Sequence, residues 1–284
     1  MTNLPKQARI QQGLQEMLDK KRLSQNELAR MTDVSAANIS HILNGRTDKT
    51  ISEEIWNRAA APLGDLDDLR LIKTGSYNTV VRECDRTREA RALVCLLGEA
   101  GYGKTSALRH YFLNTPNVYF VEFWYSLTRK EFFSDVARAL AVDLSGRPTL
   151  AQLIQRCADK LNSATGSLLI VDEVSTMQPE KLNYLRELRE RTRNNAGILL
   201  AGVPYFRQRL EKHTANHRDG VPEMVSRIAK FQNLAAPTKA ELTAVGRANG
   251  LSDAEAKTAA GQATEYRVLS NWIKHQRPTT GTTA

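Results

Sequence analysis

The chain has 284 residues, 41% of them hydrophobic, and its 40 Lys and Arg against 31 Asp and Glu leave a formal net charge of +9. That length supports a sizeable core and two or three domains, and the basic surplus favours polyanionic partners. No window approaches the roughly 18 uninterrupted apolar residues of a membrane helix, no apolar leader opens the chain, and Cys84, Cys95 and Cys157 are too far apart for a disulfide framework or a zinc site, so a soluble cytoplasmic protein is expected.

Ile10, Leu14, Met17 and Leu18 recur at helical spacing, and Ser24-Gln25-Asn26-Glu27 is a capping box that opens a second short helix through Met31. Thr32-Asp33-Val34 turns the chain, and Ser35 is an N-cap for a third helix that stops at Asn44-Gly45. Leu28, Ala29, Val34, Ile39, Ile42 and Leu43 take the packing positions. Residues 1–61 therefore read as an all-α helix-turn-helix domain. Its DNA-contact candidates are Ser35, Ala36, Asn38, Ser40, His41 and Arg46, side chains too small and polar for strong sequence choice. Nine basic against seven acidic residues is a low charge for a DNA reader, so a protein-docking role stays open for this domain.

Residues 62–78 begin acidic and turn-rich at Pro62-Leu63-Gly64-Asp65 and read as a linker. From Arg91 the pattern alternates. Strands are expected at 93–97, 118–123, 167–172 and 197–202, with helices at 105–113, 128–141, 149–162 and 179–192 between them. This α/β rhythm over 79–236 implies a parallel sheet with helices on both faces. Residues 238–249, 252–263 and 265–275 read as three short amphipathic helices, a lid over 237–276, and the polar tail 277–284 reads as unstructured.

The most informative motif follows the first expected strand: Gly98-Glu99-Ala100-Gly101-Tyr102-Gly103-Lys104-Thr105-Ser106. It is a complete phosphate-binding loop in its strand-loop-helix context. Its glycines let successive N–H groups face phosphate oxygens, Lys104 reaches the β- and γ-phosphates, and Thr105 suits a Mg²⁺ ligand. Leu168-Leu169-Ile170-Val171-Asp172-Glu173 supplies the second part, with Asp172 as the Mg²⁺ partner and Glu173 as the group that polarises the attacking water. ATP and Mg²⁺ are the cofactors this pair implies. A second charge signal lies downstream: residues 181–230 hold eleven basic and five acidic groups, so most of the surplus sits in the ATPase half.

The N-terminal stretch, down to Ile39-Ser40-His41-Ile42-Leu43-Asn44-Gly45, resembles DNA-binding domains of the Cro and phage-repressor type. A sheet ATPase with a small helical lid resembles the AAA+ class. The order of helix-turn-helix, phosphate loop, Ile170-Val171-Asp172-Glu173, Ser226-Arg227-Ile228-Ala229-Lys230 and a lid arginine is similar to the phage Mu B family of transposition proteins. That resemblance implies an ATPase that binds double-stranded DNA without sequence choice, assembles on it as a homo-oligomeric helical filament or ring, and delivers it to a transposase. It makes Arg227 an arginine finger for a neighbouring subunit and Arg267 the lid residue that senses nucleotide. Arg129 and Lys130 become the first candidates for DNA contacts inside a filament, with Arg189, Arg191 and Arg193 next. In one place the chain departs from the pattern: after 197–202, where a polar residue near the γ-phosphate is usual, Gly202 is followed by Val203 and Pro204, so either another polar group serves or hydrolysis is slow, stimulated by DNA and assembly, with ATP acting mainly as an assembly switch. An ATP-switched transcription regulator and a helicase-loader type of ATPase are the rival readings.

Overall fold

A computed structural model describes residues 5–45, 51–64 and 69–276. Arg46 and the tail 277–284 lie outside the described residues. The first helix is α1 (Lys6–Lys21), and α2 (Gln25–Thr32) and α3 (Ala36–Leu43) start where their serine caps set them. Ser24 and Glu27 complete both halves of the capping box, and Ser35 Oγ accepts the Asn38 N–H at 3.2 Å. A further helix, α4 (Glu53–Ala60), lies outside the three expected in this domain. Its signals are a Ser52 cap, Glu53 and Glu54 in the first turn, and buried Trp56 and Ala59 three residues apart.

Helix α5 (Gly75–Glu89), capped by Thr74, starts inside the stretch read as a linker. There follow β1 (Leu93–Leu97), α6 (Lys104–Asn114), β2 (Val118–Glu122), α7 (Arg129–Ala139), α8 (Leu150–Asn162), β3 (Ser167–Asp172), α9 (Pro179–Thr192) and β4 (Ala196–Gly202). These ends lie within two residues of the expected ones. Helices α10 (Tyr205–Ala215) and α11 (Val221–Val225) and strand β5 (Ile228–Asn233) complete the core. Lys230, Gln232 and Asn233 deprive β5 of the apolar run that marks the inner strands, because it is an edge. All pairings are parallel, in the order β2-β3-β4-β1-β5. Helices α12 (Lys239–Ala248), α13 (Asp253–Gln262) and α14 (Tyr266–Gln276) pack around Leu242, Ala259, Leu269 and Ile273 as the lid. Among the described residues no helix is long and apolar enough to cross a membrane.

One face of the sheet is covered by α7 to α11, the other by α5 and α6. On that second face the core does not stop at α6. Ile10, Leu14, Ile39 and Trp56 of the helix-turn-helix share it with Leu96, Leu108 and Val118. The N-terminal domain is docked, and its anchor is polar: Lys21 is buried, and its Nζ donates to the carbonyls of Phe112 (3.0 Å), Thr115 (3.1 Å) and Val118 (2.7 Å) while lying 4.2 Å from the centre of the Phe112 ring. The last turn of α6 thereby receives the donors it lacks. An ion pair between Lys160 and Glu27 at 3.1 Å adds a second tie.

Burial pushes the Lys21 ammonium down to about 7, with repulsion from Arg88 adding to it. The folded chain gives up this proton near that pH, whereas the unfolded chain holds it to the ordinary lysine value of 10.5. Stability contributed through this group therefore rises with pH across that window and is flat below it. Lys21→Met strands three carbonyls and is expected to cost about 1–3 kcal/mol near neutral pH. Urea titrations at several pH values should show wild type and variant running parallel below pH 7 and diverging above it; a constant gap at every pH would refute the assignment.

Candidate nucleotide site

Every group of the expected nucleotide site leaves the carboxyl edge of the sheet or faces it. The loop after β1 turns through Gly101 (φ 76°) and Gly103 (φ 81°), a backbone that side chains rarely adopt. Gly98 donates its N–H to the Gly202 carbonyl at 3.1 Å, which fixes the start of the loop to the end of β4. Lys104 is buried, and its Nζ donates to the carbonyls of Gly98 (2.5 Å) and Glu99 (2.9 Å). Gly98 and Glu99 thus hold the loop's shape. Ala100, Gly101, Tyr102, Gly103, Lys104, Thr105 and Ser106 line the cavity above it. Desolvation lowers the Lys104 pKa and nearby Arg267 lowers it further, while Asp172, Glu173 and Glu99 act in the opposite direction.

Asp172, the last residue of β3, is fully buried. Its Oδ2 accepts the Thr105 hydroxyl at 2.7 Å and its Oδ1 accepts the Glu173 N–H at 2.9 Å. Burial pushes its carboxyl up to about 6 against the lowering effect of these two donors. Glu173 follows in the left-handed region (φ 58°), exposed and lining the cavity. A non-glycine residue held there is strained, and such strain concentrates at functional sites.

The cavity measures about 490 Å³. Its far walls are the lid and a segment that sequence reasoning took for a linker. Leu69, Leu71 and Ile72 give that segment an apolar face suited to a flat base. It is bound to the lid: the Arg70 N–H donates to Asn249 Oδ1 at 2.7 Å and the Gly75 N–H to Glu241 Oε1 at 2.6 Å. Alternating apolar residues just before the Thr74 cap were the available signal. From α14, Tyr266 donates its N–H to the Gly101 carbonyl at 2.9 Å, and Arg267 faces the cavity. Loop, lid and wall thus close around one space of nucleotide size. A hydrated Mg²⁺ carried in with phosphates fits the Thr105 and Asp172 oxygens; no cluster of three or more metal-ligating side chains occurs among the described residues, so the phosphates themselves would have to complete its shell.

Arg227 is elsewhere. It sits on the turn before β5, paired with Glu190 at 2.5 Å, whereas the phosphate loop lies beyond the opposite end of the strands. Six residues of β5 separate the two ends by roughly 20 Å. Arg129 opens α7, donating to the Tyr184 hydroxyl at 3.3 Å, and Lys130 beside it is exposed. In the loop before them, Trp124 and Tyr125 are 62% and 69% exposed, a pair that a reading guided by charge passed over. Arg189 donates to the Ala196 carbonyl, Arg191 pairs with Glu187, and Arg193 pairs with Glu190. On α3, Ala36 is exposed; Asn38, Ser40 and His41 are half-buried; and Ser35 is exposed with its hydroxyl engaged as the cap.

A parallel sheet of this order, a phosphate loop after β1, an acidic pair after β3 and a C-terminal helical lid define an AAA-type ATPase, here preceded by a helix-turn-helix domain. Family models agree, matching an AAA domain over residues 87–210 and a helix-turn-helix over 14–68. Over most of its length the chain is similar to proteins named for phage DNA transposition. It is 24% identical over 251 residues to the Mu-like prophage FluMu DNA transposition protein B of Haemophilus influenzae, covering 85% of each chain. It is 26% identical over 259 residues to the ATP-dependent target DNA activator B of Escherichia phage D108, covering 87% of this chain and 80% of that protein. Among solved structures, the ORC1 protein of Aeropyrum pernix in complex with DNA shares the fold, with a TM-score of 0.53 at 14% identity over 77% of this chain. The chain spans 65% of that structure's length.

Asp172 gives the site a testable signature. Above pH 6 its ionised carboxylate is held where water does not reach it, so Asp172→Asn should raise the stability of the nucleotide-free protein by about 1–2 kcal/mol. As pH falls from about 6 to the ordinary 3.8, the wild type takes up this proton before its unfolded form does, and the advantage shrinks. Thermal melts at pH 8 and 5, with calorimetry of nucleotide binding with and without Mg²⁺, check both halves. A variant no more stable at pH 8, or one that retains the Mg²⁺ contribution to binding, would refute the assignment.

Proposed function

We propose that this chain is an ATP-dependent DNA-binding ATPase of transposition, which assembles along duplex DNA with ATP bound and presents that DNA to a transposase. The observation that carries the reading is the separation of Arg227 from its own phosphate loop. An arginine at the far end of the sheet completes no site in its own chain, but it suits the γ-phosphate of a neighbour's nucleotide, which makes hydrolysis depend on assembly. Similarity across most of both chains to proteins named for DNA transposition and target DNA activation supports the rest.

Within one site the geometry supports the following roles. Lys104 leaves its loop carbonyls for the β- and γ-phosphates, and the loop's N–H groups and the start of α6 cradle them. Thr105 and Asp172 hold Mg²⁺, which when bound neutralises charge on the phosphate oxygens. Glu173 takes the proton of a water whose oxygen bonds to the γ-phosphorus as the bond to ADP breaks. Arg267, across the cavity on α14, couples the lid to nucleotide. With Arg129 and Lys130 at the start of α7 and the exposed Trp124 and Tyr125 on the loop before it, charge for phosphates and aromatic surface lie side by side. The outward face of α3 adds weak, sequence-tolerant contacts.

Electron microscopy with random-sequence duplex and a non-hydrolysable ATP analogue should give filaments or rings with wild type and none with Lys104→Ala. A 1:1 mixture of Arg227→Ala and Lys104→Ala should recover turnover that neither variant has alone, since each supplies what the other lacks. No recovery, or a footprint at one preferred site, would favour the regulator reading instead.

Charge reversal at Arg129 and Lys130 is expected to weaken ATP-dependent DNA binding and to reduce the slope of log affinity against log salt by about 2. Filter binding across a salt series measures it, and an unchanged slope would remove these residues from the interface.

A further inference from the structure

The end of β4 poses a chemical problem. Val203 lines the nucleotide cavity there and has no polar group to hold water or phosphate, and Gly202 before it has no side chain. Yet the space beside Gly202 is filled by a hydroxyl. A β-carbon built on Gly202 would lie 2.5 Å from Ser175 Oγ, so that oxygen stands closer to it than a side chain at the end of β4 would allow. Ser175 belongs to the single 3-10 turn after β3, residues Val174–Thr176, two positions beyond Glu173.

Its bonding is half used. Ser175 Oγ accepts the Val203 N–H at 2.8 Å, and among the described residues its own proton meets no acceptor. A hydroxyl has that proton to give, and Ser175 is only partly buried, two positions beyond Glu173 and bonded to Val203, both of which line the cavity. Position is also controlled: the same strand end holds the first glycine of the phosphate loop through the Gly98 to Gly202 bond, so the hydroxyl, the loop and the strained backbone of Glu173 are fixed to one another.

We propose that Ser175 is the positioning residue of the hydrolytic step, its hydroxyl standing in for the polar side chain that β4 lacks and orienting the attacking water for Glu173. The proposal rests on the reading of Glu173 as general base. In the step itself, Ser175 donates its hydrogen bond to one lone pair of the water while the other attacks the γ-phosphorus. Glu173 accepts the water's proton, the bond to ADP breaks, and Ser175 ends unchanged.

The matched pair of Gly202 and Ser175 provides its own test. Ser175→Ala should lower turnover at saturating ATP on the order of tenfold to a hundredfold, with the affinity for a non-hydrolysable analogue within about twofold of wild type, and Ser175→Thr should retain most of the rate. Once the Ser175 oxygen is removed, the nearest atom to a β-carbon at 202 is Val174 Cγ2 at 3.4 Å, an ordinary contact, so Gly202→Ser fits in that background. The double variant Ser175→Ala, Gly202→Ser should regain about tenfold over Ser175→Ala. Wild-type turnover in Ser175→Ala, or a folded, nucleotide-binding double variant no faster than the single one, would overturn the proposal. Glu173→Gln is measured alongside. If it turns over at the wild-type rate, the general-base reading fails; if it is inert while Ser175→Ala turns over at the wild-type rate, the Ser175 assignment alone falls.

Discussion

Asp172 is a carboxylate that water does not reach, and the carboxyl edge of the sheet is organised around keeping it there. Burial, with repulsion from Glu173 and Glu122 added, disfavours its charge, and the two donors that counter this are the Thr105 hydroxyl and the Glu173 amide. Each links a different functional part to β3: Thr105 opens the helix behind the phosphate loop, and the Glu173 amide belongs to the residue whose left-handed backbone turns its side chain to the cavity. The cost falls on the fold and the benefit on the ligand, since a poorly solvated carboxylate is a strong partner for a divalent ion carried in by phosphates.

Helix α6 carries that arrangement across the molecule. Its amino end is the phosphate loop, where unpaired N–H groups and the helix dipole favour anions; its carboxyl end, about 16 Å away, holds carbonyls that favour cations. Lys21 meets that second end with a buried ammonium. The helix-turn-helix is therefore attached to the rear of the helix whose front would hold nucleotide, through an interaction that is directional and has no carboxylate to replace it. A domain joined only by a flexible linker would have no such register with the site. Here α1, α6 and β1 share one core, which fixes the position of the N-terminal domain relative to the loop.

What was legible in the sequence follows from the range over which each signal acts. Phosphate loop, acidic pair and inner strands are local: glycine spacing, an apolar run and a terminal carboxylate lie within a few residues of one another. The lid helices were legible for the same reason, as Thr238 and Ser252 each begin a capping box. Leu69 to Gly75 was not, because its apolar face has meaning only against Asn249 and Glu241, more than 160 residues away in the chain. Strand β5 escaped because an edge strand need not be apolar. Ser175 was invisible for a sharper reason: a serine in a turn is unremarkable until the chain is folded and its hydroxyl is found in the space that Gly202 leaves. The sequence exposed the gap at Val203, and only packing exposed what fills it.

On the proposed reading, the parts of hydrolysis are divided between chains. Loop, base and positioning hydroxyl stand at one end of the sheet, and the arginine stands at the other. In a single chain Arg227 rests on Glu190, an ion pair with both side chains well exposed and so worth at most about 1 kcal/mol. A triphosphate oxygen on a neighbour carries more charge and lies in a less hydrated cleft, where the same guanidinium gains more. The resting pair is therefore weak enough to be given up on assembly yet keeps the arginine ordered beforehand. Hydrolysis then follows stacking of subunits instead of preceding it, which is the order of events that an ATP-held assembly on DNA requires.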